Sequence, residues 1–157
     1  MSTQPPNTIV LIHGLWMTPL SWENWIERYQ NAGYEVIAPA WPGMENGIDA
    51  LRADPAAIEH LGIEEIVDHY DTIIARLPSP PIIMGHSFGG AFAEVLLDRG
   101  RGAAGVAIDA AAVFDRELAA GPIHQNAPHG GRGGAEIVRL VPPLDGRLGK
   151  SQPRFMH

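Results

Sequence analysis

Thr8-Ile-Val-Leu-Ile12 is an unbroken apolar and β-branched run that ends at His13-Gly14. A run apolar on both faces suits a buried parallel strand. From Pro19 to Gln30, Leu20, Trp22, Trp25, Ile26 and Tyr29 fall on one helix face, and Gly33 stops the element. Glu35-Val-Ile-Ala-Pro39 predicts a second strand, followed by an irregular stretch from Trp41-Pro-Gly-Met44 onward. Ile63, Ile66, Val67, Tyr70, Ile73, Ile74 and Leu77 then recur at spacings of three and four, an amphipathic helix closed by Pro78. Pro81-Ile-Ile-Met-Gly85 predicts a third strand, Phe88 to Arg99 a third helix and Gly105-Val-Ala-Ile-Asp109 a fourth strand. Strands alternating with helices imply right-handed crossovers and a parallel sheet. The fold class is α/β, a parallel sheet with flanking helices.

The regular pattern stops near residue 112, and the charges change there too. Residues 1–112 carry 14 acidic and 5 basic side chains, and residues 113–157 carry 4 acidic and 6 basic. All four Trp lie before the break, and from Gly121 onward about a third of the residues are Gly or Pro. The division predicts a folded unit over 1–112 and a Gly/Pro/Arg-rich tail over 113–157 with too little apolar surface to offset its ordering entropy. The 157 residues suffice for one domain. With no Cys, a disulfide scaffold, a thiolate metal site and a cysteine nucleophile are excluded. A net charge of −7 argues against nucleic acid as a partner. No apolar run approaches a membrane span, and Met1 to Asn7 lack the features of a secretory signal, so a cytoplasmic protein is expected.

One motif carries chemistry. Gly85-His86-Ser87-Phe88-Gly89-Gly90 fits G-x-S-x-G, a tight strand-to-helix turn that lifts a serine hydroxyl clear of the sheet. Three fixed residues match by chance in a chain of this length with a probability of roughly 5%, so the context decides. An apolar strand precedes the motif and an amphipathic helix follows it, as the turn requires. The helix start aims free N–H groups at the place where a negative oxygen would form. His13-Gly14-Leu15-Trp16 ends the first strand, where a second donor is needed; it reads equally as a plain strand-to-helix turn. With Ser87 beside it, the amides of Leu15 and Phe88 become the two candidate oxyanion donors.

Leu11-Ile-His-Gly14, Trp41-Pro-Gly43 and Ile82-Ile-Met-Gly-His-Ser-Phe-Gly-Gly90 together make residues 8–110 resemble the N-terminal half of an α/β-hydrolase fold protein. They are similar to the esterase, lipase and haloperoxidase-like branch of that superfamily. The resemblance implies a nucleophilic Ser87, an oxyanion hole at the Leu15 and Phe88 amides, and acyl transfer from a small ester-like substrate to water, with no metal or other cofactor. It says little about substrate, because one fold hosts many chemistries.

A neutral serine also needs a base, and the base an acid. In the family these follow the serine in the order acid, then histidine. Asp109 ends the fourth strand, a site from which some members supply the acid; a strand-end cap explains it as well. Glu136-Ile-Val-Arg-Leu-Val141 reads as one more strand, with Asp145 and His157 following in the family's order. His124 and His129 lie in the Gly/Pro-rich segment, His60 and His69 read as surface residues of the helical stretch, and His86 as shaping the turn. The chain ends 70 residues after Ser87, short of what the later strands of the family occupy. A truncated or altered-frame product is therefore the alternative, catalytically impaired and acting at most as a binding module, with self-association through an open sheet edge. Leu144-Asp-Gly-Arg-Leu-Gly-Lys-Ser151 lacks the first glycine of a phosphate-binding loop, G-x-G-x-x-G is absent, and His124 and His129 lack zinc-peptidase spacing.

Overall fold

The computed structural model describes residues 5–111 and the backbone of 139–141. Its strands are β1 (Thr8–Ile12), β2 (Glu35–Ile37), β3 (Ile82–His86), β4 (Ala104–Ile108) and β5 (Arg139–Val141). The helices are α1 (Glu23–Asn31), α2 (Gly47–Ala53), α3 (Ala56–Glu59), α4 (Ile63–Ile74) and α5 (Phe88–Asp98), with a 3₁₀ turn at Pro19–Trp22 before α1. The strand order is β2-β1-β3-β4-β5, parallel from β2 to β4. β5 runs antiparallel to β4, Val141 beside Gly105 and Arg139 beside Ala107. The edge of β4, expected to be open, is thus paired over those residues.

Each residue of β1 is buried, because helices cover both faces of the sheet. Val10, Ile12 and Ile83 face Ile66, Val67 and Tyr70 of α4 and Phe92 and Leu96 of α5. Ile9, Leu11, Met84 and Ile108 form the other core with Trp22, against which Trp25, Ile26 and Tyr29 of α1 pack. Most of the apolar stripe predicted for α4 is what it buries, with Ile63, Ile66, Val67, Tyr70 and Ile74 inside; the helix ends at Ile74 rather than at Pro78, so Leu77 lies beyond it. Its first turn is closed by Glu65, whose carboxylate accepts the Gly62 N–H at 2.8 Å. At its far end Arg99 and Arg101 pair with Asp68 and Asp71, tying α4 to the turn after α5.

Three expectations needed correction. The single helix over Pro19–Gln30 is a 3₁₀ turn followed by α1, as is frequent at helix N-termini. The stretch after Trp41, expected to be irregular, holds the two short helices α2 and α3. His69 is half-buried rather than on the surface, and its Nε2–H donates to the Ala40 carbonyl at 3.1 Å. A second tether anchors the same loop: Tyr70, fully buried, donates its hydroxyl to the Pro39 carbonyl at 2.7 Å. Burial also pushes the Tyr70 phenol above its ordinary range. Tyr70→Phe is expected to lower the unfolding free energy by about 1–2 kcal/mol in urea melts, since it leaves that carbonyl without its donor. A change within error would mean that water replaces the hydroxyl.

Candidate active site

β1 sits between β2 and β3, so the crossovers leaving the strand ends diverge at the β1/β3 boundary. Ligands of open parallel sheets bind in the crevice outside the carboxyl ends of the strands at such a switch point. Here that crevice is flanked by Gly14-Leu15 after β1 and Ser87-Phe88 after β3. The two segments touch: a Cβ placed on Gly14 would stand 3.1 Å from the Ser87 Cβ.

Ser87 has φ 55° and ψ −121°, a left-handed conformation that L-residues other than glycine seldom adopt. Four hydrogen bonds hold it there. Its N–H donates to the Ile108 carbonyl at 3.0 Å, while its own carbonyl accepts from Gly90 at 3.0 Å, Ala111 at 3.1 Å and Ala91 at 3.2 Å. The end of β4 and the first turn of α5 therefore fix the serine from both sides. Gly85 and Gly89 are required by close approach: a Cβ on Gly85 would overlap the Gly89 carbonyl, and one on Gly89 the Ile12 carbonyl.

Among the described residues, neither the Leu15 nor the Phe88 N–H is taken up by a backbone acceptor. Phe88 opens α5, whose positive dipole end adds to the same field. Leu15 belongs to a loop shaped by Trp16, itself left-handed at φ 66°, and by the Met17 N–H donating to the Gly14 carbonyl at 3.3 Å. No sequence signal marks that conformation, because left-handed positions are ordinarily Gly or Asn.

His13 lies beneath this loop, 1% exposed, stacked on Trp41 with ring centroids 5.1 Å apart. Its Nδ1–H donates to the Gly14 carbonyl at 3.0 Å, and its Nε2 has no partner among the described residues. Burial lowers its pKa below the ordinary 6.5, so it stays neutral while the unfolded chain takes up a proton. Stability is therefore full above pH 6.5 and falls as the pH drops below that value. In urea melts the parent is expected to lose up to about 1.4 kcal/mol per pH unit there, and His13→Phe, which keeps the stack, to lose less. Equal slopes would show that other groups carry the acid sensitivity.

Asp109 follows β4 with φ 44° and is exposed. With His86, Ile108, Trp22 and Trp25 it lines a cavity of about 390 Å³ on the α1 face of the sheet. A larger pocket of about 680 Å³ opens on the other side of the Leu15–Met17 loop, toward α2 and α3. Among the described residues no imidazole hydrogen-bonds the Ser87 hydroxyl, and no group of His, Asp and Glu is placed to hold a metal ion. Asp145, His124, His129 and His157 lie outside the described residues. No helix among the described residues is long and apolar enough to cross a membrane.

A parallel sheet with a left-handed serine at the end of a central strand defines the α/β-hydrolase class. Matching proteins agree. The model of the alpha/beta hydrolase family matches residues 9–157, past the break in composition as well as before it. The chain belongs to the alpha/beta hydrolase family. It is 33% identical over 90 residues to the AB hydrolase superfamily protein YfhM of Bacillus subtilis (strain 168), covering 54% of this chain and 28% of that one. The chain thus spans under a third of that curated relative. Among solved structures, the metagenome-derived lipolytic enzymes LipS and LipT match with a TM-score of 0.55 and 24% identity, over 73% of this chain and 47% of that one. The pyrethroid hydrolase PytH matches with a TM-score of 0.50 and 25% identity, over 63% and 38%.

Proposed function

We propose that this chain is a serine hydrolase acting on small ester-like substrates, with Ser87 as the nucleophile. The Ser87 Oγ attacks the ester carbonyl carbon and passes its proton to a base. The carbonyl oxygen becomes an oxyanion between the Leu15 and Phe88 N–H groups. Collapse expels the alcohol, which takes the proton, and water then cleaves the acyl-serine to the acid and free enzyme. Each oxyanion donor lowers the barrier by about 3 kcal/mol.

The observation that carries this reading is the strained Ser87, packed against Gly14, where the adjoining Leu15 and Phe88 amides have no backbone acceptor. Strain of this kind costs on the order of 1–3 kcal/mol and persists at working sites. Of the described histidines, His13 is buried under the loop, His69 is committed to Ala40, His60 is exposed, and His86, as the residue before Ser87, lines the cavity on the α1 face of the sheet. His124, His129 and His157 are therefore the bases to test, with Asp109 or Asp145 as the acid. Covalent labelling by a fluorophosphonate, located by peptide mapping, tests the proposal. A folded chain that takes no adduct would leave it a hydrolase by descent only.

A further inference from the structure

The pocket of about 680 Å³ has the size of a small-molecule site and walls of Leu15, Trp16, Trp41, Met44, Ile48 and Leu51. It begins at Leu15, the residue after the Gly14 that lies against Ser87, so it opens beside the Ser87 crevice. Trp16 is the next residue, 76% exposed and left-handed. A bulky side chain at positive φ is an outlier, and such strain gathers at ligand sites. Trp16 buries too little surface to be held there by packing alone.

Trp41 supplies a second observation. It is 2% exposed, and its indole N–H has no acceptor among the described residues. The N–H is itself shut away, and the ring, held by its stack on His13, gives the pocket a fixed aromatic wall that suits an apolar ligand. The roof supplies a third. α2 and α3 place no fully buried residue in the core; Leu51 and Ile58 only pack against its edge. A roof with so little buried surface opens at low cost. Its rim carries Asp54 and Glu59, while Arg52 on the same rim is paired with Asp49 at 3.4 Å. The excess of carboxylates disfavours an anionic ligand and leaves an uncharged one.

We propose that this pocket holds the apolar chain of an uncharged ester, and that Trp16 with α2–α3 sets the length of chain accepted. The proposal deepens the serine-hydrolase reading and rests on it for the reactive end of the ester. The pocket can be tested without catalysis. The ligand is 2-nonanone, in which a methylene replaces the ester oxygen of hexyl acetate, titrated calorimetrically into the 157-residue chain and its Ser87→Ala variant. Octanoate serves as the charged comparison.

The ketone is expected to bind parent and Ser87→Ala alike, and octanoate about tenfold more weakly. Trp16→Gly and Ile48→Glu are each expected to weaken ketone binding about tenfold. Both variants stay folded: glycine adopts positive φ without strain, and Ile48 is already 38% exposed. No binding to the folded parent overturns the proposal. So does ketone binding that both variants leave untouched, that requires Ser87, or that octanoate matches. If the ketone binds as expected while fluorophosphonate fails to label, the Ser87 reading falls and the pocket stands.

Discussion

Ser87→Ala is expected to abolish fluorophosphonate labelling completely, while the parent takes one adduct that maps to the peptide containing Ser87. Hydrolysis of an activated ester should fall in parallel by on the order of 10⁴-fold or more where the base is in place. The reason is geometric. In the proposed mechanism the elbow at the switch point presents the hydroxyl, and the Leu15 and Phe88 N–H groups, which have no backbone acceptor, receive the oxygen that attack creates. No other described serine has that surrounding; Ser21, for instance, spends its hydroxyl on the Thr18 carbonyl at 2.8 Å. Ser87→Gly separates function from fold. It removes the nucleophile as alanine does, but relieves the left-handed strain at φ 55°, so the unfolding free energy should rise by about 1 kcal/mol. An adduct that survives Ser87→Ala would place the nucleophile elsewhere and sink the reading. A Ser87→Gly variant less stable than the parent would show that the elbow is not strained.

The elements that build this site are those whose chemistry is local. β1 was readable because a strand buried on both faces reads as a nearly continuous apolar run, and α4 because its six apolar residues keep helical spacing. The elbow was readable because glycine is forced at 85 and 89 by backbone approach, which leaves a mark in the sequence. What escaped was set by tertiary placement. α2 and α3 bury nothing completely, so their sequence carries no stripe. Trp16 takes a conformation its side chain resists. His69 lies on a helix between acidic neighbours, and only the fold brings the Ala40 carbonyl to it. The direction of β5 could not be read either, since a short apolar run pairs equally well both ways. The division at residue 112 and the partners of Ser87 stay proposals of the same kind, resting on composition and chain order.

The site depends on one close contact, and Gly89→Ala tests it. The first turn of α5 lies so near the end of β1 that a Cβ on Gly89 would overlap the Ile12 carbonyl oxygen and stand 2.7 Å from that of His13. Both obstacles are backbone, so neither can rotate away. The variant should lose on the order of 3 kcal/mol or more, or fail to fold, and Gly85→Ala should do the same against the Gly89 carbonyl. Two controls bracket the effect. Gly90→Ala meets the Ala110 Cβ at 3.0 Å and the Ala110 Cα and Gly85 carbonyl oxygen at 3.2 Å, tight contacts but no overlap, within a helix that favours alanine, and should cost far less than either. Gly33→Ala has open space around it but a φ of 92°, and should cost about 1 kcal/mol from conformation alone. If urea melts rank Gly89 and Gly85 far below Gly90 and Gly33, steric approach is the cause and not helix propensity. Near-parent stability for Gly89→Ala would mean that α5 stands further from β1. The Phe88 amide, proposed as an oxyanion donor, would then stand further from the end of β1 as well.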